Sequence, residues 1–331
     1  MLHKRLYTIL LALFTVAQAH SQRQAGKSYE FLDLPTTARS IAIGGNHAVL
    51  GTDDVGFCFQ NPAALRDTLH QSVSINASFL PQGIIYGTGI YAQQVEGIGT
   101  FAAGVQYINY GQFDRTDEDR NELGTFGAQE AAIYLTASRQ MTPWLRLGAT
   151  VKPVFSHFDT YNSFGIAMDM GAYYTSPDGS LQAGLVIRNV GGQISSYAPD
   201  AQRKPLNTDM RIGAAYKLEH APIRVTTTLK DIYHWKISTD NDNKISFGDN
   251  LMRHLLIGVE FMPIRNFFVG VGYDQRQRKE TRSSASGGAA GFSFGCGLRV
   301  YKIDIAYGYR KYHLAGASNT ISISTNLGRF L

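Results

Sequence analysis

The chain carries little charge. Asp, Glu, Lys and Arg make up only 17% of its 331 residues, below the usual quarter of a soluble domain. With 44% hydrophobic residues, it does not have the composition of a disordered chain. The 31 Lys+Arg against 26 Asp+Glu give a formal charge of +5, too small a bias to argue for a nucleic-acid partner. Cysteine is nearly absent: Cys58 and Cys296 are the only two, so a cysteine-based metal site is excluded. They could pair in an oxidising compartment, but Cys296 falls on a strand face expected to point outward, so both are expected to stay free. Beyond the first 21 residues there is no clean apolar run of 18, and mean hydropathy is -0.15. A multi-helix membrane protein is thereby excluded.

Catalytic signatures are missing as well. There is no G-x-S-x-G, no H-E-x-x-H and no phosphate loop ending in G-K-[ST]. The nine histidines are scattered, which argues against a metal centre, and no cofactor motif is present. Two groupings could serve a barrel enzyme: Ser156 with His157 and Asp159, and His313 with Ser318. Adjacent Ser156 and His157 point to opposite faces of a strand, so a preformed nucleophile–base pair is not expected, and neither is an enzyme.

What is present begins with residues 1–21, MLHKRLYTILLALFTVAQAHS. Lys4 and Arg5 precede an apolar core from Leu6 to Ala17, and small residues follow. This is the pattern of a signal peptide cleaved after Ala19 or Ser21. Loss of Lys4 and Arg5 brings the charge from +5 to +3.

From about residue 70 the chain alternates with period two. Leu145, Leu147, Ala149, Val151 and Phe155 share one face, and Arg146, Thr150 and Lys152 share the other. A strand sorts residues this way, whereas a helix would spread them around its circumference. The same sorting separates Met210, Ile212 and Tyr216 from Asp209, Arg211 and Lys217. It also separates Ile303, Ile305, Tyr307 and Tyr309 from Asp304 and Arg310. Fourteen strands are predicted, over 70–79, 83–93, 97–110, 127–138, 143–156, 162–175, 179–189, 206–219, 222–236, 252–262, 266–278, 287–300, 302–312 and 318–330. Many reach 10–14 residues, the length that crosses a bilayer at a tilt and not the usual five or six. Their connections alternate between short turns and longer polar loops such as 111–126, 190–205 and 237–251. Outer-membrane barrels show that alternation.

The pattern therefore predicts an all-β fold: a 14-stranded antiparallel transmembrane β-barrel in the outer membrane. In hydrocarbon an unpaired strand edge costs several kcal/mol per group, so the sheet must close. Tyr107, Tyr110, Tyr173, Tyr174, Tyr307 and Tyr309 are expected in the aromatic belts. Residues 22–69 lack alternation and are predicted to form an N-terminal plug ahead of the barrel at 70–331. Arg146, Lys152, Arg188, Arg211, Lys217, Arg224 and Arg310 are expected to face the lumen. Partners are sought among Glu130, Asp169, Asp209, Glu260, Asp304, Asp53 and Asp54, since buried charges need them.

Phe31-Leu32-x-Leu34-Pro35-x-x-Ala38-Arg39, Ile43-Gly44-Gly45 and Asn61-Pro62-Ala63 resemble the N-terminal region of outer-membrane proteins of the type IX secretion system. Those proteins lie within the wider FadL-like (long-chain fatty-acid transporter) superfamily. The resemblance extends along the whole chain after the signal peptide. It implies a fourteen-stranded barrel with a plug, anchoring the complex that processes secreted cargo and attaches it to anionic lipopolysaccharide in Bacteroidota. The partners it implies are a PorZ-like surface protein, a PorU-like sortase, a PorV-like shuttle and outer-membrane lipid or lipopolysaccharide. Docking candidates on or beside the long loops are then Tyr110, Phe113, Tyr197, Tyr233 and Trp235, since aromatics anchor interfaces. The same residues would also suit an outer aromatic belt. The alternative is a FadL-like transporter of a hydrophobic molecule or lipid, which needs an apolar lumen pocket.

Overall fold

In the computed structural model, residues 27–117, 119, 121–198, 201–235, 246–280, 290–313 and 316–330 are described. The expected signal peptide at 1–21 and the 237–245 part of the long loop 237–251 lie outside them.

The fourteen strands form one closed antiparallel barrel. They are β1 (Ser72–Phe79), β2 (Ile85–Val95), β3 (Gly99–Thr116), β4 (Glu122–Thr142), β5 (Leu145–Phe158), β6 (Tyr161–Thr175) and β7 (Leu181–Ser195). The circuit continues through β8 (Asp209–Lys217), β9 (Ile223–Leu229), β10 (Leu255–Ile264), β11 (Phe267–Asp274), β12 (Phe292–Val300), β13 (Ile303–His313) and β14 (Gly316–Asn326). β1 closes onto β14 from Ser72↔Asn326 to Phe79↔Asn319, so no edge is left open there. Among the described residues three short α-helices accompany the strands: α1 (Ala38–Ala42), α2 (Phe247–His254) and α3 (Gln275–Glu280).

Burial is inverted relative to a soluble protein. On β1 the polar Ser72, Ser74, Asn76 and Ser78 are buried, while Ile75 and Phe79 are exposed. On β5 Leu147, Val151 and Phe155 are exposed, and Arg146, Thr150 and Lys152 are buried. A continuous apolar outer face is stable only against lipid. Cys58 is buried in the plug, Cys296 is exposed on the outer face of β12, and both are free.

Several expected boundaries change. The loop predicted at 111–126 is mostly strand, a two-stranded extension with register shifts at Asn109/Gly111 and Asp114/Thr116. β3 runs to Thr116 and β4 starts at Glu122. Likewise β7 continues to Ser195, into the predicted loop 190–205. The strand predicted at 222–236 stops at Leu229, because Asp231 takes a left-handed backbone (φ 53) and opens a 3-10 turn over Ile232–His234. Arg253 and His254, expected in a strand, end α2, and Gln275 onward forms α3. Tyr173 and Tyr110 do not join the aromatic belts. Tyr173 is buried, and its hydroxyl donates to Gln182 at 2.6 Å. Tyr110 donates inward to Glu130 at 2.6 Å. Adjacent Tyr173 and Tyr174 must face opposite sides, so only one of them can reach lipid.

Residues 27–71 lie inside the barrel. Short turns of helix fold this segment locally, and three of them are started by a polar cap. Thr37 accepts from Ser40 N–H at 3.1 Å, Asp54 from Gly56 N–H at 2.9 Å and Asn61 from Ala63 N–H at 3.0 Å. Such caps satisfy backbone donors that would otherwise be orphaned in a dry lumen. The plug runs from the end of the longer loops, where Ser28 N–H donates to Pro205 O at 3.1 Å, to the end of the short turns. There Leu327 N–H donates to Gln71 O at 2.8 Å.

Glycines on the wall seat it. A Cβ at Gly148 would lie 2.5 Å from the Pro62 carbonyl carbon, and one at Gly171 would lie 2.1 Å from Asn61 Oδ1. On the opposite wall, a Cβ at Gly272 would meet Gly44 N at 2.0 Å, and one at Gly308 would meet Ala38 O at 2.5 Å. The Asn61-Pro62-Ala63 and Ile43-Gly44-Gly45 elements thus rest backbone-first on bare strands. Any larger wall residue at these positions would push the plug away.

Candidate functional site in the lumen

Among the described residues, buried charged and aromatic side chains converge in the lumen. Its wall has two characters. Over β2–β6 the inward residues Tyr86, Ile90, Ile108, Tyr134 and Val154 pack with Phe31, Leu32 and Phe59 of the plug. Phe59 and Tyr134 meet edge-on with ring centroids 4.6 Å apart. Leu34, Leu80, Ile84 and Tyr110 extend this apolar cluster as half-buried neighbours. Leu80 and Ile84 belong to the β1–β2 connection, so the cluster reaches the long-loop end.

Beyond it lie charges. Lys152 Nζ is 2.6 Å from Asp169, and both are buried. Arg188, fully buried, lies 3.9 Å from Asp169 and donates to the Leu32 carbonyl at 2.8 Å. Plug Asp33 lies 3.6 Å from Arg211 and accepts from Asn189 at 3.0 Å. Arg211 also pairs with Asp209. A second group gathers on β9–β13. Buried Glu260 takes Arg39 of the plug at 2.7 Å and Arg224 at 3.3 Å. Asp274 takes Lys230 at 2.6 Å and Arg310 at 3.0 Å. The expected inward acids Asp169, Asp209 and Glu260 are thus paired. Asp304 instead pairs with Arg299 at 2.6 Å, and Asp53 with Arg66 at 3.1 Å. Lys217, expected in the lumen, shares the inward register of β8 with Arg211 and Ala215 but is exposed at the short-turn end, where it lines a cavity beside the plug. Asp33 and Asp274 were not foreseen as partners. Their cations are far away in sequence, and a single chain gives no register to connect them.

His47 sits in the middle of the plug. Its Nε2 lies 2.7 Å from Ile43 O and its Nδ1 3.1 Å from Thr228 Oγ1. A neutral ring protonated at Nε2 fits both, donating to the carbonyl and accepting from the hydroxyl. Burial disfavours the charged ring and pushes its pKa down to about 4.

A cavity of about 370 Å³ opens at the short-turn end, between the plug and β8–β14. Arg39, Asp53, Asp54, Lys217, Arg224 and Arg299 are among its lining residues, with the inward-facing Phe268 beneath Arg39.

The five aromatic docking candidates fall in three places. Tyr110 and Tyr197 flank Phe158, each 5.7 Å from it between centroids. The Tyr197 hydroxyl bonds Ser156 at 2.7 Å. Phe113 is exposed on the upper part of β3, stacked on Phe126 at 5.5 Å. Tyr233 is exposed, while Trp235 stacks on His254 at 4.7 Å and an interplanar angle of 4°. Of the Ser–His groupings, Ser156 turns inward to Tyr197, His157 bonds Asn162 at 2.7 Å and Asp159 pairs with Arg115. Ser318 Oγ lies 3.3 Å from the Arg310 carbonyl, and the His313 side chain lies outside the described residues. Ser156, His157 and Asp159 are therefore not assembled as a catalytic group.

No family model matches the chain, and no curated protein matches it. Solved structures do. The Pseudomonas putida toluene transporter TodX is similar at a TM-score of 0.55 and 12% identity, covering 89% of this chain and 99% of TodX. The CymD monoaromatic hydrocarbon channel is similar at 0.52 and 13%, covering 88% and 96%. A Pseudomonas aeruginosa FadL homologue is similar at 0.50 and 11%, covering 88% and 98%. The chain shares the fold of FadL-type barrels over nearly its whole described length. At these identities the likeness speaks for fold.

Proposed function

We propose that the protein is an outer-membrane barrel of FadL type that takes up or holds a hydrophobic molecule from the long-loop side. The observation that carries this is the apolar inner wall of β2–β6. It meets the plug at Phe31 and Phe59 and continues to half-buried Leu34, Leu80 and Ile84 at the long-loop end. Apolar surface facing a lumen is the chemistry a hydrophobic ligand needs. The fold shared with TodX, CymD and the FadL homologue supports the same reading.

A second reading is favoured by a different observation. The plug is tied to the wall by buried ion pairs at Asp33 and Arg39, and the cavity at the short-turn end is lined by charges. Both features suit a closed barrel used as an anchor. On this reading the chain is a PorQ-like component of the type IX attachment complex and holds a PorZ-like surface protein by its long-loop end.

One experiment separates the two. The tagged protein is purified from outer membranes in mild detergent, and both its lipids and its partners are identified by mass spectrometry. A co-purified apolar molecule, lost when half-buried Leu80 or Ile84 is replaced by Asp, supports uptake. A stoichiometric surface protein with no bound apolar molecule would overturn uptake in favour of anchoring.

A further inference from the structure

One buried carboxylate stands apart from the others. Among the described residues five carboxylates are buried: Glu130, Asp169, Asp209, Glu260 and Asp274. The last four each pair with a Lys or Arg. Glu130 has no such partner among the described residues, although it is only 5% exposed. A buried charge needs a partner, and an unpaired one in a membrane-spanning wall points to a function. Its surroundings are aromatic. The Tyr110 hydroxyl donates to it at 2.6 Å, and Tyr110 and Tyr197 flank Phe158. The Tyr197 hydroxyl bonds Ser156, which stands opposite Glu130 on β5. Tyr110 takes one of the roughly four acceptor positions of a carboxylate, so an N–H donor can join it without displacing it. Phe126 lies on the same face of β4 as Glu130, two inward positions nearer the rim, and exposed Phe113 stacks on it. Rings thus lead from the long-loop end towards the carboxylate. Glu30 of the plug, itself exposed, adds a second negative charge whose field reaches Glu130.

We propose that this cluster binds an organic cation, with the ammonium group on Glu130 and the apolar body against Tyr110, Phe158 and Tyr197. Aromatic rings beside a carboxylate favour a positive charge twice over, through the ring faces and through a charge-assisted hydrogen bond. The same place repels an anion. The inference rests on the uptake reading for the approach from the long-loop end, and it gives the ligand a charge that the apolar wall alone does not require.

The test uses the full-length protein in a non-ionic detergent at neutral pH. Isothermal titration compares benzylammonium, benzyl alcohol and benzoate, which share a ring and differ in charge. Benzylammonium is expected to bind about tenfold more tightly than benzyl alcohol, and benzoate more weakly than either. Glu130→Gln keeps the shape and an acceptor for Tyr110, and should bring benzylammonium down to the level of benzyl alcohol without lowering the melting temperature. Glu130→Asp keeps the charge and should keep benzylammonium first. The proposal is overturned if benzylammonium does not bind, if benzyl alcohol or benzoate binds as tightly, or if Glu130→Gln binds benzylammonium like the parent. Equal binding of amine and alcohol would show Glu130 to be a neutral structural acid and would leave uptake standing. Charge-selective binding by a barrel that co-purifies with no apolar molecule would support the cation site and count against uptake.

Discussion

The two halves of the barrel wall meet the same plug in opposite ways. Over β2–β4 the wall supplies the bulk: Tyr86, Ile90, Ile108 and Tyr134 reach inward to Phe31 and Phe59. Over β10–β13 the wall is stripped to glycine, at Gly258, Gly270, Gly272, Gly295 and Gly308, and the plug backbone from Ala38 to Gly44 comes to it. The first half is a hydrophobic core in the ordinary sense, where stability follows buried apolar area. The second is a backbone-on-backbone seat beside charges, where stability follows the absence of side chains. The rules of substitution should therefore invert from one half to the other. Large-to-small changes should hurt in the first half, and small-to-large changes in the second.

The largest effects are expected where that inversion is sharpest. Glu260→Ala leaves Arg39 and Arg224 without their shared carboxylate in a buried site. Losing one member of a buried pair costs about 3–5 kcal/mol. The urea midpoint of protein refolded into detergent should fall accordingly, and an unchanged midpoint would show that water already reaches Glu260. Tyr134→Ala in the other half removes the ring packed on Phe59 and the hydroxyl that donates to Gln106 at 2.5 Å. Emptying an aromatic site costs about 3–5 kcal/mol. If Tyr134→Ala were nearly silent, the apolar half would not be a core.

Next comes acid. His47 is neutral and buried beneath the glycine seat, with a pKa of about 4 against an ordinary 6.5. Below pH 6.5 the unfolded chain takes up the proton and the folded one does not. Stability is thus full above pH 6.5 and falls as pH drops from 6.5 towards 4. At about 1.4 kcal/mol per pKa unit, the loss approaches roughly 3 kcal/mol at the lower limit. Glu260 and Asp274 favour the charged ring and Arg310 opposes it, but burial outweighs all three. The check is the difference between parent and His47→Gln across that pH range, and parallel curves would rule the ring out. Gly272→Ala sits below this. Its Cβ would lie 2.0 Å from backbone atoms that cannot rotate away, an overpacking cost of about 1–3 kcal/mol. Its signature should be earlier trypsin cleavage in the plug, with the outer wall still folded.

How much of this contrast was readable beforehand depends on range. Period two sorted Leu147, Val151 and Phe155 from Arg146 and Lys152, because alternation is written into neighbouring residues. Closure followed from the cost of an open edge in lipid. The short helix at Phe247–His254 escaped because it stands between strand-like segments and is only two turns long. The glycine seat was invisible for a different reason. Gly258, Gly272 and Gly308 are 14 and 36 residues apart, and only the closed register of β10–β13 lines them up opposite Ala38–Gly44. The Asp33–Arg211 contact spans even more chain. Motifs could be noticed as words, but not matched to the wall they rest on.

Asn61 tests whether such a motif is a seat or a handle. Its Oδ1 accepts from Ala63 N–H at 3.0 Å, and its Nδ2 donates to Ala48 O at 2.8 Å. It therefore caps one plug turn and staples it to another. Pro62 follows at the first helical position, where its missing N–H costs nothing. Against the wall, Gly171 leaves room for the Asn61 side chain and Gly184 for the Ala48 carbonyl. Asn61→Ala keeps the backbone and the glycine seat but removes both bonds, and a lost cap costs about 1 kcal/mol. Asn61→Ser keeps a capping oxygen and loses the donor to Ala48. If the motif is a structural seat, urea midpoints should rank parent, Asn61→Ser, Asn61→Ala, with ligand or partner capture unchanged. If capture fell while the midpoint held, Asn61 would instead belong to the working surface of the lumen. The glycine contacts on β5–β7 would then be part of a passage and not of a lock.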